Sequence, residues 1–127
     1  NGQAVAEFLA SHPKIAYVNY CGLPGDKYHA VAEKYLPNGS CGVVSFGVKG
    51  GREAAAAFMG HLKIAAIETH VADARTCCLH PASSTHRQMN DEQLIAAGVQ
   101  PDLVRMSCGL EDKNDLIHDI AQALDQI

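Results

Sequence analysis

The sequence has no basic stripe, no long apolar run and no signal-peptide pattern at its start, and these absences argue against several classes of protein. Its 127 residues include 10 Lys and Arg against 14 Asp and Glu, which gives a formal net charge of -4 and a pI near 5.9. A nucleic-acid-binding domain usually carries clustered cations, so we expect no nucleic-acid partner. No apolar run approaches the roughly 20 residues of a membrane-spanning helix, so we expect no membrane partner.

Charged residues are also scarce, and their scarcity argues against disorder. They make up 19% of the chain, while hydrophobic residues make up 47%. This composition predicts a folded chain with one core of ordinary size, so residues 1–127 are expected to form a single domain. The chain opens with Asn1 on a helical pattern and not with Met. We therefore expect it to be a piece of a longer protein.

The chain has five cysteines, an odd number, so they could not all pair in disulfide bonds within the chain. Most lie inside apolar, strand-like runs, which indicates reduced, buried thiols and a cytoplasmic protein. Cys77 and Cys78 are adjacent, so on a strand they would point to opposite faces and could not serve one site. His80 and His86 lie near them in sequence, but zinc sites usually space their cysteines by two to four residues, and we expect no metal site.

Apolar spacing and turn residues predict a mixture of helices and strands. Helices are predicted over 2–11, from a cap at Asp26 to residue 35, and over 52–61, 91–97 and 113–127. Extended segments are predicted over 15–20, 41–48, 64–71, 76–79 and 103–108. This order predicts one α/β domain, an α+β sandwich in which a sheet of about four strands is covered on one face by helices.

Arg105 is the one charged residue in the predicted strand over 103–108. A guanidinium stays charged and is rarely buried without a partner. The partner would be an internal carboxylate, from Glu111, Asp112 or Asp102, or else a bound anion. The residues alone leave both possibilities open.

Two other segments carry residues of interest. Ser83, Ser84 and Thr85 are typical of turn and capping chemistry, in which hydroxyls bond to nearby main chain. His70 ends a predicted extended run, and a lone histidine there is more often structural than catalytic.

Several motifs resemble the C-terminal domain of the pyridoxal-phosphate enzymes of cysteine and methionine metabolism. They are HPASSTH at 80–86, VRMSCGLED at 104–112, YCGLPGDKYHAVAEKYLP at 20–37 and VVSFGVKGGREAAAAF at 43–58. The stretch HVADARTCCLHPASSTHRQ at 70–88 is most similar to the O-acetylhomoserine sulfhydrylase branch. A cystathionine synthase or lyase, a methionine lyase and a stand-alone domain that binds a small carboxylate remain alternatives.

The resemblance implies roles for four residues. It implies that Arg105 forks onto the α-carboxylate of the amino-acid substrate, a geometry that suits two parallel N–H donors. It implies that Thr85 lies beside this arginine and helps to hold it, and that His70 and Val71 line the site. The fold it implies is the small C-terminal domain of a fold-type I enzyme, with a mostly antiparallel sheet.

The resemblance also implies what this chain does not carry. In the family, the cofactor lysine, the acidic partner of the pyridine nitrogen and the phosphate cup lie in a large N-terminal domain. The six lysines of this chain match no such site, so we expect no catalytic and no cofactor-binding residue within 1–127. The parent would bind pyridoxal 5'-phosphate in that N-terminal domain and form a homotetramer. It would convert O-acetylhomoserine and sulfide to homocysteine and acetate, while the isolated chain would be inactive.

Overall fold

A five-stranded sheet with helices against one face organises the chain. The computed structural model describes residues 1–127. The helices are α1 (Gly2–Ser11), α2 (His29–Tyr35), α3 (Gly51–His61), α4 (Asp91–Ala96) and α5 (Lys113–Asp125), and the strands are β1 (Ile15–Asn19), β2 (Val43–Val48), β3 (Ala66–Ile67), β4 (Cys77–Leu79) and β5 (Leu103–Ser107). The strand order is β1-β2-β5-β4-β3. Every pair is antiparallel except β3 with β4.

The core lies between the sheet and helices α1, α3 and α5. Val44 and Phe46 of β2, with Val104 and Met106 of β5, are fully buried in one cluster with residues of the three helices. Successive side chains of a strand point to opposite faces, so the residues between them lie on the other face of the sheet. That second face, called the open face here, carries Arg105. The α/β fold, with helices on one face of a mostly antiparallel sheet, is as predicted, although the sheet has five strands where about four were expected.

Two local predictions about helix starts and strand lengths are wrong. Helix α2 begins at His29, because the carboxylate of Asp26 accepts hydrogen bonds from the main-chain N–H of Tyr20 (3.2 Å) and Tyr28 (2.8 Å) and so shapes a turn instead of capping a helix. The extended run predicted over 64–71 shrinks to the two residues of β3. The helix predicted over 91–97 is present as α4, and Asn90 forms the predicted cap with Gln93.

A buried carboxylate explains why the chain after α3 turns instead of extending. Asp119 of α5 is 4% exposed. It accepts hydrogen bonds from the main-chain N–H of Lys63 (2.8 Å), Ile64 (2.8 Å) and Ala65 (3.1 Å). These bonds satisfy donors that no strand or helix supplies with a partner, and they fix the entry to β3.

A buried histidine anchors the segment after β4. His80 is 2% exposed. Its Nε2 lies 2.8 Å from the carbonyl oxygen of Pro101, and its Nδ1 lies 2.8 Å from the hydroxyl of Ser83. A neutral ring fits both contacts, because Nε2–H donates to the carbonyl and Nδ1 accepts from the hydroxyl. Burial lowers the pKa of His80 below its ordinary value.

No helix of the structure has both the length and the apolar character needed to cross a membrane.

Replacing Asp119 by Ala is expected to lower the free energy of unfolding by about 1–3 kcal/mol, because buried N–H donors lose their acceptor. Asp119→Asn, which keeps one oxygen, should lose less. Urea unfolding of the purified chain measures both. Asp125→Ala is the matched control, because Asp125 is exposed at the end of α5. Equal loss in the Asp119 and Asp125 variants would contradict this role.

The stability of the chain should fall as the pH drops below 6.5, the ordinary pKa of histidine. The folded state holds His80 neutral, so the unfolded state binds more protons in this range and acid favours unfolding. The stabilisation is complete above 6.5, and one proton limits the slope to about 1.4 kcal/mol per pH unit. Urea unfolding between pH 5 and 8 measures the slope. His80→Gln should flatten it, whereas His118→Gln, at an exposed position, should not.

Candidate functional site

Arg105 ends a row of polar residues on the open face of the sheet. In register with it are Ser45 of β2 and Leu79 of β4, and Asn19 of β1 pairs with Ser45. Residues in register share a face, so Asn19, Ser45 and Arg105 lie side by side across three strands. The Asn19 amide donates a hydrogen bond to the Ser45 hydroxyl at 3.3 Å. The row is therefore polar on a face that no helix of the core covers.

The guanidinium of Arg105 is only partly used within the chain. Its Nη2 donates to the carbonyl oxygen of Thr69 at 2.7 Å, while its Nε is buried and has no hydrogen-bond partner. It forms no salt bridge. A buried donor without an acceptor is costly, so an acceptor from outside the chain would stabilise this group.

The three carboxylates that could have paired with Arg105 bind elsewhere. Glu111 accepts hydrogen bonds from the main-chain N–H (2.7 Å) and the hydroxyl (2.8 Å) of Thr76. Asp112 caps α5, and Asp102 accepts a hydrogen bond from the Tyr17 hydroxyl at 3.2 Å. The internal ion pair that the residues left open is not formed, because each candidate satisfies a donor of its own.

Glu111 belongs to a tight junction between the segment before β4 and the segment after β5. Burial raises the pKa of its carboxyl group, but the hydrogen bonds from Thr76 outweigh burial, and the net shift is downward. The Thr76 hydroxyl also accepts the main-chain N–H of Gly109 at 2.9 Å. A Cβ atom at Gly109 would stand 2.3 Å from the carbonyl oxygen of Ala74, so only glycine fits this approach.

His70 and Val71 lie in the turn that Arg105 holds. The turn covers residues 69–73 and follows β3, and the bond from Arg105 to Thr69 ties its first residue to β5. Both side chains are exposed, and the His70 Nδ1 lies 3.8 Å from a carboxylate oxygen of Asp73. The main-chain N–H groups of His70 and Val71 make no hydrogen bond within the chain. Two free donors therefore lie in the segment attached to the guanidinium.

An adjoining hollow is lined mainly by apolar residues. It measures about 380 Å³, and its lining includes Val71, Ser107, Cys108 and Leu110. Val71 is 52% exposed and Leu110 is 86% exposed. The hollow borders the turn over 69–73, because Val71, Ala72 and Asp73 line it.

Thr85 does not hydrogen-bond to Arg105 in this structure. Its hydroxyl pairs with the Nδ1 of His86 at 2.8 Å, and its side chain is exposed. The main chain around it is held by Arg52, which donates to the carbonyl oxygen of Ala82 (2.6 Å) and to the carboxylate of Asp91 (2.6 Å). The structure thus brings Arg105, His70 and Val71 into one connected segment and leaves Thr85 on a separate loop.

Sequence reasoning missed Ser45, Asn19 and Arg52. Ser45 interrupts the apolar run of β2 in the same way that Arg105 interrupts β5, and this shared period of two was the available signal. Only the register between the strands places Ser45 beside the arginine. No local pattern indicated that Arg52 would reach the loop over 82–91.

The cysteine and histidine cluster does not converge on a site. All five cysteines are free thiols, and no three His, Cys, Asp or Glu side chains come together as a metal site. Cys78 lies in the core, where burial strongly raises its pKa. Burial also raises the pKa of Cys77. Cys21 and Cys108 are only half-buried and Cys41 is exposed, so the expectation that most of these thiols are buried is wrong.

Comparisons with known proteins give a consistent result. The family described as Cys/Met metabolism PLP-dependent enzyme matches residues 1–125. The chain is similar to an O-acetyl-L-homoserine sulfhydrylase of Leptospira meyeri (44% identity over 128 residues) and to a homocysteine synthase of Schizosaccharomyces pombe (44% over 125 residues). It is also similar to an L-methionine gamma-lyase of Fusobacterium nucleatum, with 39% identity over 127 residues.

A solved structure has the same fold. It is a crystal structure of an O-acetylhomoserine (thiol)-lyase from Campylobacter jejuni that carries N'-pyridoxyl-lysine-5'-monophosphate. The TM-score is 0.88 and the identity 37%, over 98% of this chain and 30% of that one. The match to the Leptospira protein covers all of this chain but only 29% of that protein. The match to the Schizosaccharomyces protein covers 98% of this chain and also only 29% of that protein. The match to the Fusobacterium lyase covers all of this chain and 32% of that protein.

The match over nearly the whole chain, with identities near 40%, shows that this chain belongs to the family of pyridoxal-phosphate-dependent enzymes of cysteine and methionine metabolism.

Proposed function

We propose that residues 1–127 form the C-terminal, substrate-binding domain of an O-acetylhomoserine sulfhydrylase, and that Arg105 holds the α-carboxylate of the amino-acid substrate. One observation carries the proposal: a guanidinium on the open face has no carboxylate partner and keeps a buried, unsatisfied Nε. A carboxylate that approached from outside the chain would supply the missing charge and the missing acceptor together.

The geometry of arginine suits this ligand. A planar guanidinium presents parallel N–H donors that match the two oxygens of a carboxylate, and such charge-assisted bonds are stronger than neutral ones. Nη2 carries two N–H groups and gives one to the Thr69 carbonyl oxygen, so its second N–H and the N–H of Nε remain for the ligand. Anchoring the carboxylate at a fixed point orients the α-carbon and the chain beyond it for reaction.

The turn over 69–73 supports the same assignment. The free main-chain N–H groups of His70 and Val71 are donors that an anion held by Arg105 could use. The imidazole of His70 and the apolar side chain of Val71 would then line the site. Thr85 would serve as an orienting residue for Arg105, which requires its loop to move or its hydroxyl to leave His86.

The residues present do not fit the cofactor itself. The ammonium groups of Lys14 and Lys49 donate hydrogen bonds to main-chain carbonyl oxygens. Those of Lys27 and Lys34 lie over the rings of the tyrosines that follow them in sequence. Lys63 lines a surface hollow together with Asp115 and Asp119, whose carboxylates disfavour a phosphate. Lys113 begins α5, where no hollow is lined by it. Pyridoxal phosphate is therefore assigned to a separate N-terminal domain of the parent, and the isolated chain is expected to be inactive.

The reaction proposed for the parent exchanges acetate for sulfide on O-acetylhomoserine, giving homocysteine. Sulfhydrylases and a homocysteine synthase at 43–44% identity support this branch. Methionine gamma-lyases at 39–40% identity favour the main alternative. Assaying the full-length enzyme separately with O-acetylhomoserine plus sulfide and with methionine alone separates the two branches. Release of methanethiol from methionine, without homocysteine synthesis, would overturn the sulfhydrylase assignment.

The proposal extends to assembly and location. We infer a homotetrameric parent in the cytoplasm. Exposed apolar side chains on and beside α2 support an assembled protein, because a contiguous apolar surface of this kind is typical of an interface. These residues are Tyr28, Val31, Tyr35 and Leu36.

In the full-length enzyme, Arg105→Lys should lower kcat/KM for O-acetylhomoserine by about 10- to 100-fold, as loss of a charged hydrogen bond worth about 1.5–3 kcal/mol predicts. Most of the loss should fall on KM, because the carboxylate is bound before and during reaction alike. The melting temperature should barely move, since lysine can still donate to Thr69. Steady-state kinetics and thermal melting on one preparation measure both.

Arg87→Lys is the matched control for this prediction. Arg87 is exposed and forms no salt bridge, so its replacement should change neither kcat/KM nor the melting temperature. A lower melting temperature with unchanged kinetics in Arg105→Lys would mean that Arg105 serves stability alone.

The isolated chain should self-associate weakly through α2. Replacing both Val31 and Tyr35 by Ser should abolish the concentration dependence of its sedimentation, because it removes apolar area that association would bury. Ile95→Ser is the control, because Ile95 is as exposed but lies on α4. A wild-type chain that stays monomeric at every concentration would contradict the prediction.

A further inference from the structure

The turn over 69–73 contains an unusual backbone conformation. Ala72 has φ of 57°, and it is the only residue other than glycine with a positive φ in the chain. The left-handed region is unfavourable for a residue with a Cβ atom, and it persists only where surrounding contacts enforce it. Ala72 itself is exposed, so packing in the core does not enforce it.

The contact that holds this residue is a hydrogen bond to a side chain of β5. The main-chain N–H of Ala72 donates to the hydroxyl of Ser107 at 2.9 Å. Ser107 is 1% exposed and lies two residues after Arg105, so both side chains are on the open face of the same strand. The turn is thus attached to β5 at both ends, at Thr69 by Arg105 and at Ala72 by Ser107.

Between these two attachments lie the free N–H groups of His70 and Val71. With the ends of a short turn fixed, the peptides between them have little freedom, and their donors keep one direction relative to the guanidinium. The turn is largely exposed and gains little stability from burial. The hydrogen bond from Ala72 to Ser107 therefore fixes the conformation of the turn more than it stabilises the core.

We propose that Ser107 is a positioning residue for substrate binding. It holds the left-handed turn at Ala72 so that the N–H groups of His70 and Val71 stay available beside Arg105 for the substrate carboxylate. The inference rests on the proposed function, because it assumes that a carboxylate binds at Arg105.

The test uses the full-length enzyme with bound cofactor. Ser107→Ala should raise KM for O-acetylhomoserine about 10-fold, as expected for one lost hydrogen bond, and should leave kcat within about threefold. Ser107→Thr, which keeps the hydroxyl, should restore KM. Ser11→Ala is the matched control: it also removes a hydroxyl, but one that bonds only within α1. Should Ser107→Ala fail to fold, Ser107→Cys, close in size with a weak acceptor, must give the KM rise.

Including Arg105→Lys in the same series separates the two claims. If Arg105→Lys leaves KM unchanged, the proposed function fails. If Arg105→Lys raises KM while the Ser107 variants do not, the carboxylate site stands and the role of Ser107 is overturned. A KM rise in Ser107→Ala that Ser107→Thr does not reverse would also overturn it, since the hydroxyl would then not be the cause.

Discussion

The unpaired guanidinium of Arg105 is the constraint around which the open face is arranged. A permanent charge in the central part of a sheet requires an anion or several acceptors, and the chain supplies one carbonyl oxygen. The carboxylates of Asp102, Glu111 and Asp112 accept hydrogen bonds from other donors. The chain therefore keeps a charged group available at a cost to its own stability, which is the usual situation of a binding residue.

Strand β5 serves the core and the site with its two faces. Val104 and Met106 are fully buried against the helices, while Arg105 and Ser107 hold the turn over 69–73 on the other side. The core fixes the position of β5, and the hydrogen bonds from Arg105 and to Ser107 attach the turn to this strand, so the turn is held in place as well. If the turn binds the substrate as proposed, its attachment to a packed strand would give it the precision that substrate orientation requires.

The sequence predicted what depends on local pattern, and it failed where distant atoms decide. The strands β2 and β5, the cap at Asn90 and the helical spacing of α5 all appear as expected. The sequence also predicted that Arg105 needs a partner, because the residue interrupts an apolar strand. Its actual partner, the Thr69 carbonyl, was not predicted, because it depends on the path of a turn 36 residues away. The predicted extension over 64–71 failed for the same reason, since Asp119 lies more than 50 residues further along the chain.

The approach of Gly109 to the strand before β4 has a consequence for how this chain can vary. A Cβ atom there would meet three main-chain atoms of residues 74–76 within 2.6 Å, and main chain cannot rotate away as a side chain can. The displaced segment is the one that leads out of the turn over 69–73. In a saturation library selected for growth, this position would lose all 19 alternatives, alanine included, because each of them adds a Cβ atom. Intolerance to substitution at Gly109 would therefore report close main-chain packing next to the turn over 69–73, and not a role in binding.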